Sequence, residues 1–113
     1  MRKLNLKDYT IKMKVPDKMN PGQLIEAEIP YPVKDSILNL LFIRELQLGG
    51  AELVKQNVLA MKLEQCKGEI LLEEDDYQRI KRAIDTFKGF GRNDVELVTR
   101  INDAEVVEVE PKK

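Results

Sequence analysis

The chain has 113 residues, 42% of them hydrophobic and 35% charged, with 19 basic and 20 acidic side chains and a formal net charge of −1. That length supports one domain with an adequate core, and the composition is globular rather than disordered. A near-neutral chain offers no global field to nucleic acid, and the absence of histidine removes the usual general base and the commonest zinc ligand, so most hydrolase and zinc-site chemistries are excluded.

The start, Met1-Arg2-Lys3-Leu4-Asn5-Leu6-Lys7, is basic but lacks an apolar signal core. The longest apolar run, residues 40–43, is far short of the ~18 residues that a membrane helix needs. A single cysteine, Cys66, excludes an internal disulfide framework and fits a reducing compartment. The expectation is a cytoplasmic protein with no membrane association.

Residues 9–15 alternate, with Tyr9, Ile11, Met13 and Val15 on one face and Thr10, Lys12 and Lys14 on the other. A second alternating run places Ile25, Ala27, Ile29 and Tyr31 inward and Glu26 and Glu28 outward. Between them lie turn formers from Pro16 to Gln23. The pattern predicts an antiparallel hairpin with Lys12 and Lys14 facing Glu26 and Glu28, each pair contributing ~0.2–1 kcal/mol. Met19 in the loop is a candidate contact tip.

Pro30-Tyr31-Pro32 ends the second strand, and Pro32 suits the start of a helix. Val33, Ile37, Leu40 and Leu41 then fall at helical spacing, widened by Leu38 and Phe42. This most apolar helix is expected to cover the hairpin. Gly49-Gly50 breaks the chain. A second helix over residues 51–66 carries Ala51, Val54, Val58 and Met61 on one stripe and Leu59, Leu63 and Cys66 on an adjacent one. Cys66 reads as a small buried apolar residue.

After Gly68, the run Glu69-Ile70-Leu71-Leu72 is either a third strand beside the hairpin or a buried connector, and periodicity does not decide between them. Glu73-Glu74-Asp75-Asp76 forms the acidic first turn of a third helix. Its spacing does not match a calcium loop, and the helix macrodipole favours acids there, so no metal is assigned. Tyr77, Ile80, Ile84 and Phe87 form that helix's apolar stripe. Asn93 is expected to cap a fourth helix, with Glu96 three residues on.

The elbow Gly89-Phe90-Gly91-Arg92 resembles a phosphate cradle in outline, but it has no P-loop lysine and follows a helix rather than a strand. Its plainer reading is a sharp turn with Phe90 plugged into the core. No cofactor is implied. Arg79, Lys81, Arg82, Lys88, Arg92 and Arg100 make this region locally basic, and Arg79, Arg82, Arg92 and Arg100 are singled out among them. With Met19 they are the candidate partner-binding residues.

Together these elements predict an α+β fold: an N-terminal antiparallel hairpin packed on about four helices, with a possible short third strand. The expected organisation is one domain over residues 1–103, followed at 104–113 by an acidic tail that is flexible or an edge strand. No catalytic constellation is present, so the leading expectation is a non-enzymatic protein-interaction module that self-associates. If the hairpin has only two strands, both of its edges are open to a partner strand, and the valine-rich tail of another copy is one candidate. The alternative is a small nucleic-acid-binding regulator using the basic face around Arg79–Arg100. The segments LEEDDYQRIKRAI and GFGRNDVELV give the chain a charge-rich style that resembles the small accessory and assembly proteins of tailed bacteriophages and prophages. That resemblance implies a role in virion assembly or host interaction.

Overall fold

The computed structural model describes residues 1–107. The part of the tail at 108–113 lies outside the described residues. Among the described residues the fold is α+β, with two antiparallel sheets and four α-helices. The first sheet is built on β1 (Arg2–Asn5), which pairs with β4 (Glu69–Leu72) on one side and β5 (Glu105–Val106) on the other. Leu4 faces Ile70 across the ladder and Arg2 faces Leu72, so the alternation of β4 turns Ile70 and Leu72 inward and leaves Glu69 and Leu71 outside. Backbone bonds between Met1 and Val107 close the far edge.

The run at residues 69–72 is therefore a strand, but it pairs with the chain's first residues and not with the hairpin. The basic start is a central strand. The first part of the tail is an edge strand against it.

The second sheet is the hairpin of β2 (Tyr9–Pro16) and β3 (Leu24–Tyr31), with the lysines facing the glutamates as predicted: Lys12 faces Glu28 and Lys14 faces Glu26, and this register also sets Tyr9 opposite Tyr31. Helix α1 (Val33–Leu40) follows Pro32 and buries Val33, Ile37 and Leu40, while the Asp8 carboxylate accepts from the Val33 N–H at 3.1 Å. The chain leaves the helix at Leu41, and Phe42 is exposed instead of joining the stripe. A short 3₁₀ turn, Arg44–Leu46, ends at left-handed Gln47.

Helix α2 (Gly50–Gln65) starts at the glycine pair and ends before Cys66, which is half-buried. Helix α3 (Glu74–Thr86) and helix α4 (Val95–Asn102) are separated by the elbow and a 3₁₀ turn, Arg92–Asp94. The Tyr77 hydroxyl of α3 donates to the Ile101 carbonyl at 2.7 Å, satisfying a buried group while locking α3 to the end of α4. Leu4, Ile37, Leu41, Leu59, Leu63, Ile80, Leu97 and Ile101 are fully enclosed, so the core lies between the first sheet and the four helices.

The hairpin does not join that core along its length. Tyr31 is buried and Tyr9 and Ile11 pack against the core, but the distal residues extend clear of the body. The radius of gyration is 16.9 Å, against ~13 Å for a compact chain of this length, and the long axis is 64 Å. Helix α1 was expected to cover the hairpin, but it spends its apolar stripe on the central core and leaves the arm projecting.

Candidate interaction site

The arm is held at its root by its two tyrosines. Tyr9 and Tyr31 are direct cross-strand partners, and their rings stack 4.6 Å apart at 11°. The Tyr9 hydroxyl donates to the Asn93 carbonyl at 2.6 Å, and the Tyr31 hydroxyl donates to Asp94 Oδ1 at 2.5 Å. Asp94 Oδ2 accepts from the Gly91 N–H at 2.8 Å, and the Arg100 guanidinium lies 5.1 Å from the Tyr9 ring centre. Burial, reinforced by the bond to Asp94, pushes the Tyr31 hydroxyl up to about 12, and burial also raises Tyr9.

The elbow therefore serves as the socket of the arm. Asp94, not Asn93, organises the turn before α4, because its carboxylate reaches back to the free Gly91 amide. Phe90 is only half-buried and meets Phe87 edge to face at 4.8 Å, so it closes the outside of the turn and does not plug the core.

Beyond the socket the arm presents two different faces. Lys12 opposite Glu28 and Lys14 opposite Glu26 share one face with the two prolines. The other face carries Ile11, Met13, Val15, Ile25, Ala27 and Ile29, with Met13 42% and Ile25 46% exposed. Asp17 N–H bonds to the Gln23 carbonyl at 2.9 Å, which sets the alternation of the ladder. By that alternation Pro16 and Pro30, paired with Leu24 and Thr10, turn their nitrogens to the outer edges. A proline there removes a donor from each edge, and the lysines and glutamates charge the rest. The edges, expected from the sequence to be open, are thus protected against strand addition, whereas Met13 and Ile25 on the apolar face stay exposed.

At the tip, the Asp17 carboxylate accepts from the Asn20 side-chain amide at 3.0 Å and from the Met19 N–H at 2.9 Å, which hold its pKa below the usual range. Met19 is 87% exposed on this ordered turn.

A second apolar surface lies on α2. At 100° per residue, Val54, Val58 and Met61 form a stripe opposite Gln56, Leu59, Ala60 and Leu63. The latter four are buried, and Val54, Val58 and Met61 are 64%, 48% and 50% exposed. Helical spacing reveals both stripes in the sequence, but it does not say which one finds the core. Gln56 explains the choice: its Nε2 donates to the Leu41 carbonyl at 3.0 Å, and its Oε1 accepts from Arg79 at 3.2 Å. A polar side chain inside the core face would argue for the other orientation unless these partners were foreseen.

The candidate arginines are not gathered into one site. Arg79 is held by Glu52 at 2.7 Å and, with Arg82, lines a groove of about 260 Å³ between α2 and α3 that also contains Asp75. Arg92 lines a wider groove, about 510 Å³, between the arm's root and α4. Arg100 pairs with Glu96 at 2.7 Å and donates to the Lys7 carbonyl, joining α4 to the approach of the arm. Two of the four guanidiniums are thus already neutralised by carboxylates.

The acidic turn is used internally. Glu74 accepts from Gln78 at 3.0 Å and from Arg2 at 3.2 Å, and these bonds lower its pKa. Asp76 pairs with Lys62 at 3.0 Å, which raises the lysine. Among the described residues no group of three acidic or cysteine side chains is placed to hold a metal ion, and no helix is long and apolar enough to cross a membrane. No protein-family model, curated protein or solved structure matches the chain significantly.

Proposed function

We propose that the chain is a non-enzymatic protein-interaction module that self-associates, acting in the cytoplasm as an assembly or accessory factor of the phage type. The observation that carries this reading is the arm: a two-stranded sheet whose apolar face extends beyond the core. An isolated hairpin is marginal in water, and an open apolar sheet face is unfavourable unless another surface covers it. The exposed stripe of α2 supports the same reading, because a helix apolar on opposite sides is suited to burial on both. The division of the basic residues between two grooves, with Arg79 and Arg100 already paired, favours protein over nucleic acid as the partner.

Light scattering across micromolar to millimolar concentrations tests the reading. The expected mass rises above the 13.0 kDa of one chain. A strict monomer throughout, together with an affinity capture that returns no protein partner, contradicts it. A gene position among virion genes is the expected setting for the assembly role, and a metabolic neighbourhood would count against that setting alone.

A further inference from the structure

We propose that the occupant of the arm's apolar face is helix α2 of a second copy, and that two copies exchange arms reciprocally about a two-fold axis. This rests on the self-association reading above and specifies its geometry. The two uncovered surfaces are of complementary kinds: a twisted sheet face on the arm and a narrow helical ridge on α2. Their lengths correspond, since the stripe from Val54 to Met61 spans ~11 Å along α2 and the arm's apolar face from Ile11 to Val15 spans ~13 Å. At its root the arm's apolar face is continuous with the core through Tyr31 and Ile11, so a helix laid on it extends packing that already exists.

Area decides between this arrangement and the simpler one in which two arms stack face to face. Met13 and Ile25 on the arm face, and Val54, Val58 and Met61 on the α2 stripe, are each only about half exposed, so neither surface alone approaches the ~800 Å² that each partner gives to a standard interface. Arm-on-arm packing uses only the first and leaves Val54, Val58 and Met61 in water. Reciprocal arm-on-α2 packing uses both in each copy and so buries more apolar surface than arm-on-arm packing does. It also closes on itself, so neither surface is left to recruit a third chain. The balanced charge, 19 basic and 20 acidic residues, sets no net repulsion between copies. The proline-blunted edges direct association to the face of the arm, not its rim.

Mixing two variants tests the arrangement. Met13→Asp disables the arm face and Val58→Asp disables the α2 stripe. Both positions are at least two-fifths exposed, and far-UV circular dichroism with a urea midpoint confirms that each variant folds. Ile25→Lys and Val54→Lys supply a second variant for each surface. The wild-type chain is expected to plateau at twice the single-chain mass, and each variant alone to dissociate at least 100-fold more readily. An equimolar mixture is expected to recover association tighter than either variant alone, because the intact arm of one seats on the intact α2 of the other.

Retention of the dimer by Val58→Asp, with loss only in Met13→Asp, overturns arm exchange in favour of arm-on-arm packing and leaves self-association standing. A mixture no tighter than its components also overturns it. A mass that climbs without a plateau overturns the two-fold closure. A wild-type chain that stays monomeric at every concentration defeats the underlying reading as well.

Discussion

Replacing Tyr31 by phenylalanine removes one hydroxyl from the socket of the arm and keeps the ring that stacks on Tyr9. The lost bond is to a carboxylate, and such bonds contribute ~1.5–3 kcal/mol. Asp94 keeps its second oxygen on the Gly91 amide, and water can reach part of the turn, so the expected cost is about 1–2 kcal/mol at pH 8. The pH dependence gives a sharper test. The Tyr31 hydroxyl titrates at about 12 in the folded chain, against 10.0 for the free group. A raised folded pKa means that its stabilisation is complete below pH 10 and is lost as the pH climbs through 12. Urea denaturation followed by circular dichroism at pH 8 and at pH 11.5 measures this. The gap between wild type and Tyr31→Phe should narrow toward high pH, and the difference isolates Tyr31 from the lysines, which titrate in both chains. A gap that is absent at pH 8, or equal at both pH values, refutes the role assigned to this hydroxyl.

Other substitutions probe the scaffold. Gln56→Leu keeps the volume but orphans the Leu41 carbonyl and one Arg79 contact, and should lower the urea-derived stability by about 1–3 kcal/mol. Phe90→Ala should cost about 1–2 kcal/mol, because the ring is only half-buried; full burial would make that 3–5 kcal/mol, and calorimetry separates the two. Gly68→Ala meets only Lys7 Cε at 3.7 Å, so its cost comes from the backbone at φ +80° and should be about 1–2 kcal/mol by chemical denaturation.

The hairpin was legible because alternation and cross-strand charge fix a register together: Lys12 and Lys14 have Glu26 and Glu28 as partners in only one alignment. The helices of the second half were legible for a similar reason, since Tyr77, Ile80 and Ile84 recur at helical spacing beneath an acidic first turn. Strand β1 was not. Its four residues bury only Leu4, and its partners lie near residue 70 and residue 105, so nothing local marks it. The socket was equally hidden, because it depends on two tyrosines from the arm meeting Asn93 and Asp94 at the elbow. Phe90 was misplaced by giving an aromatic between glycines the default interior position, whereas it rests half-buried against Phe87 at the margin of the core. For α2, periodicity supplied two stripes, and the hydrogen bonds of one buried glutamine determine which faces inward.

The four methionines allow one direct measurement of the central claim. Met13 lies on the arm face and Met61 on the α2 stripe, while Met1 sits at the edge of the first sheet and belongs to neither surface. Methyl resonances of ¹³C-labelled methionine, followed through a dilution series, should show Met13 and Met61 shifting together along one binding isotherm with Met1 unmoved. Methyl signals that stay fixed at every concentration would contradict self-association through these surfaces, and a shift of Met13 without Met61 would contradict the exchange of arms.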